Sequence, residues 1–158
     1  MQPIKDAAAD FLTRRRIAVT GVSRDAGAHG SNAVYRRLRE RGYEVFAVNP
    51  NTTEVEGDSA YPDLASIPGG VEAVVVGTRP ERAQATMEQC SALGITQVWM
   101  HRGPGEGSVS PEAAEWGRSH GITVIAGGCP LMFAPTSDGG HTVMRWLFSL
   151  NGNVPRRV

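Results

Sequence analysis

Residues that could hold a phosphorylated ligand are concentrated between Gly21 and Ser31. The segment follows a short apolar run, and Ser23 and Arg24 add side-chain donors to its backbone N–H groups. N–H groups at the start of a helix lack partners within the helix and therefore bind anions. A glycine-rich loop without a ligand is the plain alternative. If the segment is a phosphate-binding loop, its candidate ligand contacts are Gly21, Val22, Ser23, Arg24, Asp25, Ala26, Gly30 and Ser31.

This loop does not match the dinucleotide fingerprint G-x-G-x-x-G, because Ser23 and Ala26 stand where the second and third glycines belong. The next apolar run ends in Asn49-Pro50, where an NAD-binding domain usually places an acid for the ribose diol. The nearest acid, Glu54, lies beyond the proline turn. The pattern is compatible with an adenine nucleotide and disfavours a nicotinamide dinucleotide.

Cys129 is the one candidate nucleophile in the sequence. A catalytic cysteine needs a neighbouring base or a helix N-terminus to lower its pKa. The adjacent Gly127, Gly128 and Pro130 supply neither, so we expect a structural or thiol-contact role and no catalytic residue. The four histidines show no metal-binding spacing, so we expect no metal site.

Composition narrows the class of protein. The 158 residues carry 16 basic and 16 acidic side chains, and 41% are hydrophobic, so the chain has enough apolar material for a core. Zero net charge argues against nucleic acid or an anionic membrane as partner, and we interpret Arg14–Arg16 as a solvated run. Two cysteines make no disulfide framework, and no apolar run is long enough for a membrane span. We expect a cytoplasmic protein of one domain over residues 1–158.

Short apolar runs recur at a regular spacing along the sequence and predict the strands and helices that carry these residues. Five β-branched runs are spaced as in βα units: Ile17–Thr20, Tyr43–Val48, Ala73–Val76, Ile95–Met100 and Ile122–Ala126. Helices are predicted over Lys5–Arg14, from Ser31 as N-cap, from Thr78 as N-cap of a capping box, from Ser110-Pro111, and over His141–Leu150. Between Asp58 and Gly70 the signal is weaker, with one or two helical turns over Pro62–Ile67.

Strands that alternate with helices predict a parallel sheet with right-handed crossovers. We predict an α/β fold: a Rossmann-like, doubly wound sheet of about five strands in a three-layer α/β/α arrangement, with strand order 3-2-1-4-5. Ligands of such sheets bind beyond the carboxyl ends of the strands. The segments expected there are Gly21–Ser31, Asn49–Thr52, Gly77–Arg79, His101–Gly107 and Gly127–Pro130.

The order of several motifs resembles the CoA-binding domain family, small proteins similar to the N-terminal domain of the succinyl-CoA synthetase α subunit. The resemblance covers about residues 12–133 and rests on Gly-Val-Ser-Arg-Asp from Gly21, Val48-Asn49-Pro50, Tyr61-Pro62, Val98-Trp99 and Gly-Gly-Cys-Pro up to Pro130. It implies a Rossmann-like fold that binds coenzyme A. The loop at the end of the fourth run, 100–107, and the tail after Phe133, with its helix 141–150, depart from the family pattern.

The family resemblance assigns candidate contacts residue by residue. Ser23, Arg24, Asp25 and Ala26 match the loop that holds the CoA phosphates. The segment beside the adenosine is matched by Asn49, Pro50 and Thr52, and the end of the third run by Thr78 and Arg79. The remaining matches are His101, Arg102 and Gly103 after the fourth run, and Cys129 and Pro130 after the fifth.

The resemblance favours a stand-alone protein that binds CoA or an acyl-CoA without transforming it. The alternatives are a CoA-dependent enzyme subunit that acts with a partner chain and an NAD(P)-binding oxidoreductase. Val143, Leu147 and Leu150 form an apolar stripe on the last predicted helix, which suggests a homodimer. We also expect Cys129 to lie near the pantetheine end of CoA and to form a mixed disulfide with it under oxidation.

Overall fold

The computed structural model describes residues 1–25, 30–103 and 107–158. The helices are α1 Ile4–Leu12, α2 Gly30–Glu40, α3 Ala83–Ala92, α4 Pro111–Ser119 and α5 Gly139–Leu150. The strands are β1 Arg16–Thr20, β2 Glu44–Val48, β3 Glu54–Val55, β4 Asp58–Tyr61, β5 Ala73–Val76, β6 Gln97–Met100 and β7 Thr123–Ala126. Short 3-10 turns at Pro80–Arg82 and Pro130–Met132 complete the regular structure.

The described strands form one sheet in the order β3-β4-β2-β1-β5-β6-β7. All neighbouring pairs are parallel except β3 with β4. The predicted α/β, doubly wound, Rossmann-like fold is therefore confirmed, and the sheet has seven strands where about five were predicted.

The predicted neighbour of β5 was wrong. The order 3-2-1-4-5 placed Ala73–Val76 beside the second run, whereas β5 pairs with β1. The strand beside β2 is β4, which was not predicted from the sequence. It pairs with β2 over only two residue pairs, Ala47 with Ala60 and Val48 with Tyr61. When the six parallel strands β1, β2, β4, β5, β6 and β7 are numbered 1 to 6 in chain order, their spatial order is 3-2-1-4-5-6. Pro62–Ile67, for which one or two helical turns were predicted, forms no helix in the described structure.

Side chains of the central strands alternate between two cores, one on each face of the sheet. Ile17, Val19 and Trp99 point into the core formed with α1 and α2, whereas Ala18 and Val98 point into the core formed with α3 and α4. Trp99 is fully buried, stacks edge-on against Phe11 and donates from Nε1 to the Gly127 carbonyl at 2.9 Å. These two cores make the arrangement three-layered, as predicted.

Two predicted helix starts differ in the structure. Ser31 lies within α2 and its hydroxyl donates to the Gly77 carbonyl at 3.2 Å, so it is not an N-cap. Thr78 does not cap α3 either, because the Pro80–Arg82 turn intervenes and Arg79 is the residue that precedes it. Ser110 does cap α4, accepting from the Ala113 N–H at 3.2 Å. No helix among the described residues is long and apolar enough to cross a membrane.

Candidate functional site

The largest group of predicted site residues meets where the strand order turns back, at the carboxyl ends of β1, β2 and β5. A cavity of about 430 Å³ lies there and is called the switch-point cavity. Its described lining is Thr20, Gly21, Val22, Ser23, Val48, Asn49, Pro50, Asn51, Pro62, Thr78, Arg82, Ala85, Thr86 and Gln89. A volume of this size is typical of small-molecule sites. The rule that ligands bind at this reversal therefore selects a real concavity here.

Close backbone approach between β1 and β5 shapes the floor of this cavity. Gly21 has φ +75°, and a Cβ on it would collide with the Gly77 carbonyl. A Cβ on Gly77 would in turn collide with the Ser31 hydroxyl and the Thr20 carbonyl. Glycine at both positions lets the backbone at the start of the loop after β1 pass close to the end of β5 beside the cavity.

Two asparagine side chains fix the loop after β1. The amide of Asn49 donates to the Val22 carbonyl at 2.9 Å, and its oxygen accepts from the Asn51 N–H at 2.8 Å. Buried Asn32 accepts from the Ser23 N–H at 2.9 Å and donates to the Ser23 carbonyl at 2.8 Å. The loop is thus tied to both the end of β2 and the first turn of α2. Asn49 was predicted as a ligand contact, and the structure gives its side chain this loop-holding role.

Thr78 presents a hydroxyl without a partner to this cavity. Its Oγ1 is buried and has no hydrogen bond among the described residues, although the side chain lines the cavity. A buried polar atom without a partner is costly unless a ligand or water satisfies it. Beside it, a second concavity is lined by Gly21, Gly77, Thr78, Arg79, Glu81 and Arg82. The predicted contact at Arg79 therefore lies next to the switch-point cavity rather than within it.

Arg82 is the one charged side chain among the described residues lining the switch-point cavity. It is exposed, and within the described parts of the chain its guanidinium forms no ion pair. Arg82 was not among the predicted site residues, because the prediction used only the segments that follow the strands. This side chain reaches the cavity from the turn before α3.

A smaller group of predicted residues lines a third concavity, of about 120 Å³, which we call the Cys129 pocket. Its described lining is Gly30, Ala33, His101, Gly103, Cys129, Leu131, Met132, His141 and Met144. His101 and Cys129 come from the carboxyl ends of β6 and β7, as predicted. His141, from α5, was not among the predicted site residues.

Burial controls the protonation of this pocket. Desolvation raises the pKa of the Cys129 thiol to about 12, although a hydrogen bond from the Leu131 backbone acts in the opposite direction. Desolvation, together with nearby His141, lowers the pKa of the His101 imidazole to about 4. At neutral pH the pocket therefore holds a protonated thiol and an uncharged His101. No described group of three metal-ligating side chains forms a metal site.

Six predicted residues line none of these three concavities as the described residues define them. Arg24 and Asp25 are exposed on the loop after β1, where the Asp25 N–H donates to the Ser23 hydroxyl at 3.1 Å. The Thr52 hydroxyl bonds locally to the Glu54 backbone. The others are Ser31, Arg102 and Pro130. The Ser31 hydroxyl donates to the Gly77 carbonyl, and the Arg102 backbone N–H donates to the Gly128 carbonyl at 2.8 Å. Pro130 begins a 3-10 turn. Ala26 lies outside the described residues.

Comparisons with known proteins agree on one family. The family model for the CoA binding domain matches residues 15–135. A protein of Bacillus subtilis (strain 168) named YneT is 31% identical over 128 residues, which cover 80% of this chain and 91% of the relative. The α subunit of acetate–CoA ligase [ADP-forming] II of Pyrococcus furiosus is 33% identical over 89 residues, which cover 56% of this chain and 19% of that subunit.

A solved structure supports the same grouping. A hypothetical protein from Pyrococcus horikoshii OT3 aligns with a TM-score of 0.73 at 27% identity, over 81% of this chain and 87% of that chain. The family model spans more than half of the chain and includes the ends of all the parallel strands. On the match to the family model and the likeness to YneT, the chain belongs to the CoA binding domain family.

Proposed function

We propose that this protein binds coenzyme A or an acyl-CoA, with the adenosine end in the switch-point cavity. The observation that carries the proposal is the cavity itself. It lies at the reversal of the strand order, its floor is the loop of Gly21 to Ser23, and its charged lining residue among those described is Arg82. Membership of the CoA binding domain family supports CoA as the nucleotide.

The phosphates of CoA would be divided between two arginines. The pyrophosphate would lie along the loop after β1, where exposed Arg24 and the backbone supply donors. The 3′-phosphate would be bound by Arg82 across the cavity. Charge-assisted hydrogen bonds of this kind contribute roughly 1.5–3 kcal/mol each. The unpartnered Thr78 hydroxyl would gain a ligand oxygen.

The remaining predicted contacts would serve the rest of the ligand. Asn49, Pro50 and Thr52 would adjoin the adenosine, with Asn49 acting through the loop that it holds. The chain of pantetheine would run past Gly30 toward His101, Arg102, Gly103, Cys129 and Pro130. The Cys129 pocket would then receive the thiol end.

A CoA-dependent enzyme subunit that acts with a partner chain is the second candidate. The specific observation is the likeness to an acetate–CoA ligase subunit, of which this chain spans 19% of the length. Ligase chemistry of that kind would need domains other than this CoA binding domain. An NAD(P)-dependent oxidoreductase has less support, because none of the described residues lining the switch-point cavity is an acid that could bind the ribose diol.

Titration calorimetry with CoA, dephospho-CoA and NAD tests the proposal. We expect CoA to bind about 10- to 100-fold more tightly than dephospho-CoA, which corresponds to one charge-assisted contact at 1.4 kcal/mol per decade. NAD should bind weakly. Tighter binding of NAD than of CoA would overturn the CoA assignment. Mass spectrometry of the undenatured protein from cells would identify a retained ligand independently.

A further inference from the structure

The Cys129 pocket brings together side chains that are distant in the sequence. Cys129 follows β7, His101 follows β6, and His141 lies in the first turn of α5. The sequence around Cys129 offers no base, but the chain turns back after the Pro130–Met132 turn and returns an imidazole to the same pocket. A thiol and an imidazole that line one small pocket are the residue types of a nucleophile and its base, although no hydrogen bond joins Cys129 and His141 in the described structure.

A carboxylate fixes the orientation of the His141 ring. Asp138 is the N-cap of α5 and accepts from the His141 backbone N–H at 2.8 Å. The same carboxylate lies 2.9 Å from His141 Nδ1, and the Arg37 guanidinium contacts it at 3.2 Å. In the neutral ring, a carboxylate beside Nδ1 favours the tautomer with its proton on Nδ1, which leaves Nε2 as the acceptor. Asp138 thus prepares His141 as a base.

The remaining walls limit what the pocket can hold. Ala33, Leu131, Met132 and Met144 are apolar, and His101 is uncharged at neutral pH. At roughly 30 Å³ for a water-sized group, a volume of 120 Å³ accommodates about four non-hydrogen atoms. A short, uncharged acyl group fits these limits, whereas a dicarboxylic acyl group would bring an unpaired charge into an apolar space.

We propose that Cys129, His141 and Asp138 form an acyl-acceptor site, at which the Cys129 thiol takes a short, uncharged acyl group from an acyl-CoA. The inference rests on the proposed binding of CoA and adds a covalent step to it. Cys129 and His141 would touch the reacting atoms, and Asp138 would be a positioning residue.

The step is a thioester exchange without oxidation or reduction. His141 Nε2 accepts the thiol proton while Cys129 Sγ attacks the thioester carbonyl carbon. The tetrahedral intermediate then collapses, the bond from the acyl carbon to the CoA sulfur breaks, and His141 returns the proton to that sulfur. The products are S-acylated Cys129 and free CoA. Since burial keeps the resting thiol protonated, loss of this base should slow the reaction strongly.

Incubation of the whole chain with acetyl-CoA, followed by intact mass and peptide mapping, tests the site. We expect one acetyl group on Cys129, none in Cys129→Ala, and unchanged labelling in Cys90→Ala. Cys90 is the matched control because it is a buried thiol, also with a pKa raised to about 12, in the core on the other face of the sheet. Succinyl-CoA should not acylate the protein.

Variants of the base separate catalysis from folding. His141→Gln should slow acylation on the order of 100-fold, the usual effect of removing a general base, and calorimetry with CoA checks that the variant is folded and still binds the ligand. Asp138→Asn retains an N-cap acceptor for α5 and should also slow acylation, with a changed dependence of the rate on pH. Full acylation rates in both variants, or labelling of Cys90 in place of Cys129, would overturn the site.

Calorimetry on the same samples distinguishes the two proposals. Wild-type protein that binds CoA and acetyl-CoA but is never acylated would refute the acceptor site and leave the proposed function intact. Protein that binds neither ligand would refute the proposed function and the acceptor site with it.

Discussion

The side chain of Asn32 closes a ring of two hydrogen bonds on the backbone of Ser23, and no part of Asn32 is exposed to solvent. Its amide nitrogen also lies 2.8 Å from Glu56 Oε1, which Arg36 pairs at 2.9 Å. The loop after β1 is therefore connected through one buried amide to α2 and to the turn between β3 and β4.

Replacement of Asn32 by alanine should remove both hydrogen bonds to the Ser23 backbone and leave its N–H and carbonyl groups unsatisfied. We expect a loss of about 1–3 kcal/mol in the free energy of unfolding, measured in urea, and weaker binding of CoA. Asn151→Ala, at the exposed end of α5, is the control and should change stability by less than about 0.5 kcal/mol. Equal stability of the two variants would show that the ring is dispensable.

A methyl group at Gly77 should be poorly tolerated. It would collide with the Ser31 hydroxyl and with the Thr20 carbonyl, which is backbone and cannot rotate away. We expect Gly77→Ala to lower the free energy of unfolding by about 1–3 kcal/mol and to weaken CoA binding. Gly139→Ala is the matched control, since nothing lies within 4 Å of its added Cβ and alanine favours the helix. Thermal denaturation of both variants checks the contrast.

The two arginines assigned to the phosphates should respond differently to the ligand. Arg82→Gln should weaken CoA about 10- to 100-fold and leave dephospho-CoA almost unchanged, because only CoA carries the 3′-phosphate. Arg24→Ala should weaken both ligands about 10- to 100-fold, because both carry the pyrophosphate. Arg41→Gln, an exposed arginine after α2, is the control for charge alone. Unchanged CoA affinity in either test variant would remove that arginine from the site.

His101 should make stability depend on pH. Its pKa is lowered to about 4 by burial in the folded protein, against about 6.5 in the unfolded chain. Between these values the unfolded chain binds more protons, so the stabilisation present above about pH 6.5 is lost as the pH falls toward 4. Urea denaturation across this window should show a shallower decline for His101→Gln. His120→Gln, at an exposed histidine, should follow the wild type.

Helix α5 should pair with a second copy of the chain. Val143, Trp146, Leu147 and Leu150 are spaced as one face of the helix and are 59%, 65%, 44% and 66% exposed. Two such helices could bury this face against each other with the symmetry of a dimer. Light scattering should give twice the 16.9 kDa mass at high concentration. Leu147→Glu should give the monomer mass, and a monomeric wild type would refute the pairing.

The sequence predicted the sheet and most helices because each leaves a local pattern. Apolar runs such as Ala73–Val76 and the Ser110-Pro111 helix start carry their signal within a few residues. Strand β4 carries little, because Asp58–Tyr61 is short and polar and is held by β2. Placing Ala73–Val76 beside the wrong strand followed from that one omission.

Site residues that act across the chain were less accessible to sequence analysis. Asn32 looks like an ordinary helical residue until Ser23 folds against it, and His141 lies in a tail that departs from the family pattern. Likewise Thr78 has the spacing of a capping residue, but the Pro80–Arg82 turn leaves its hydroxyl at the cavity. The fold brings these side chains together from positions far apart in the sequence, and local patterns carry no information about such contacts.

Strand β3 has a consequence for how the protein behaves in a crowded solution. It is two residues long, runs antiparallel to β4 and presents an exposed glutamate, Glu54, at the rim of the sheet. A short, charged outermost strand gives an incoming chain few backbone groups to pair with, which is how many proteins resist aggregation through sheet edges. Growth of this sheet by strand addition is thereby discouraged on the β3 side.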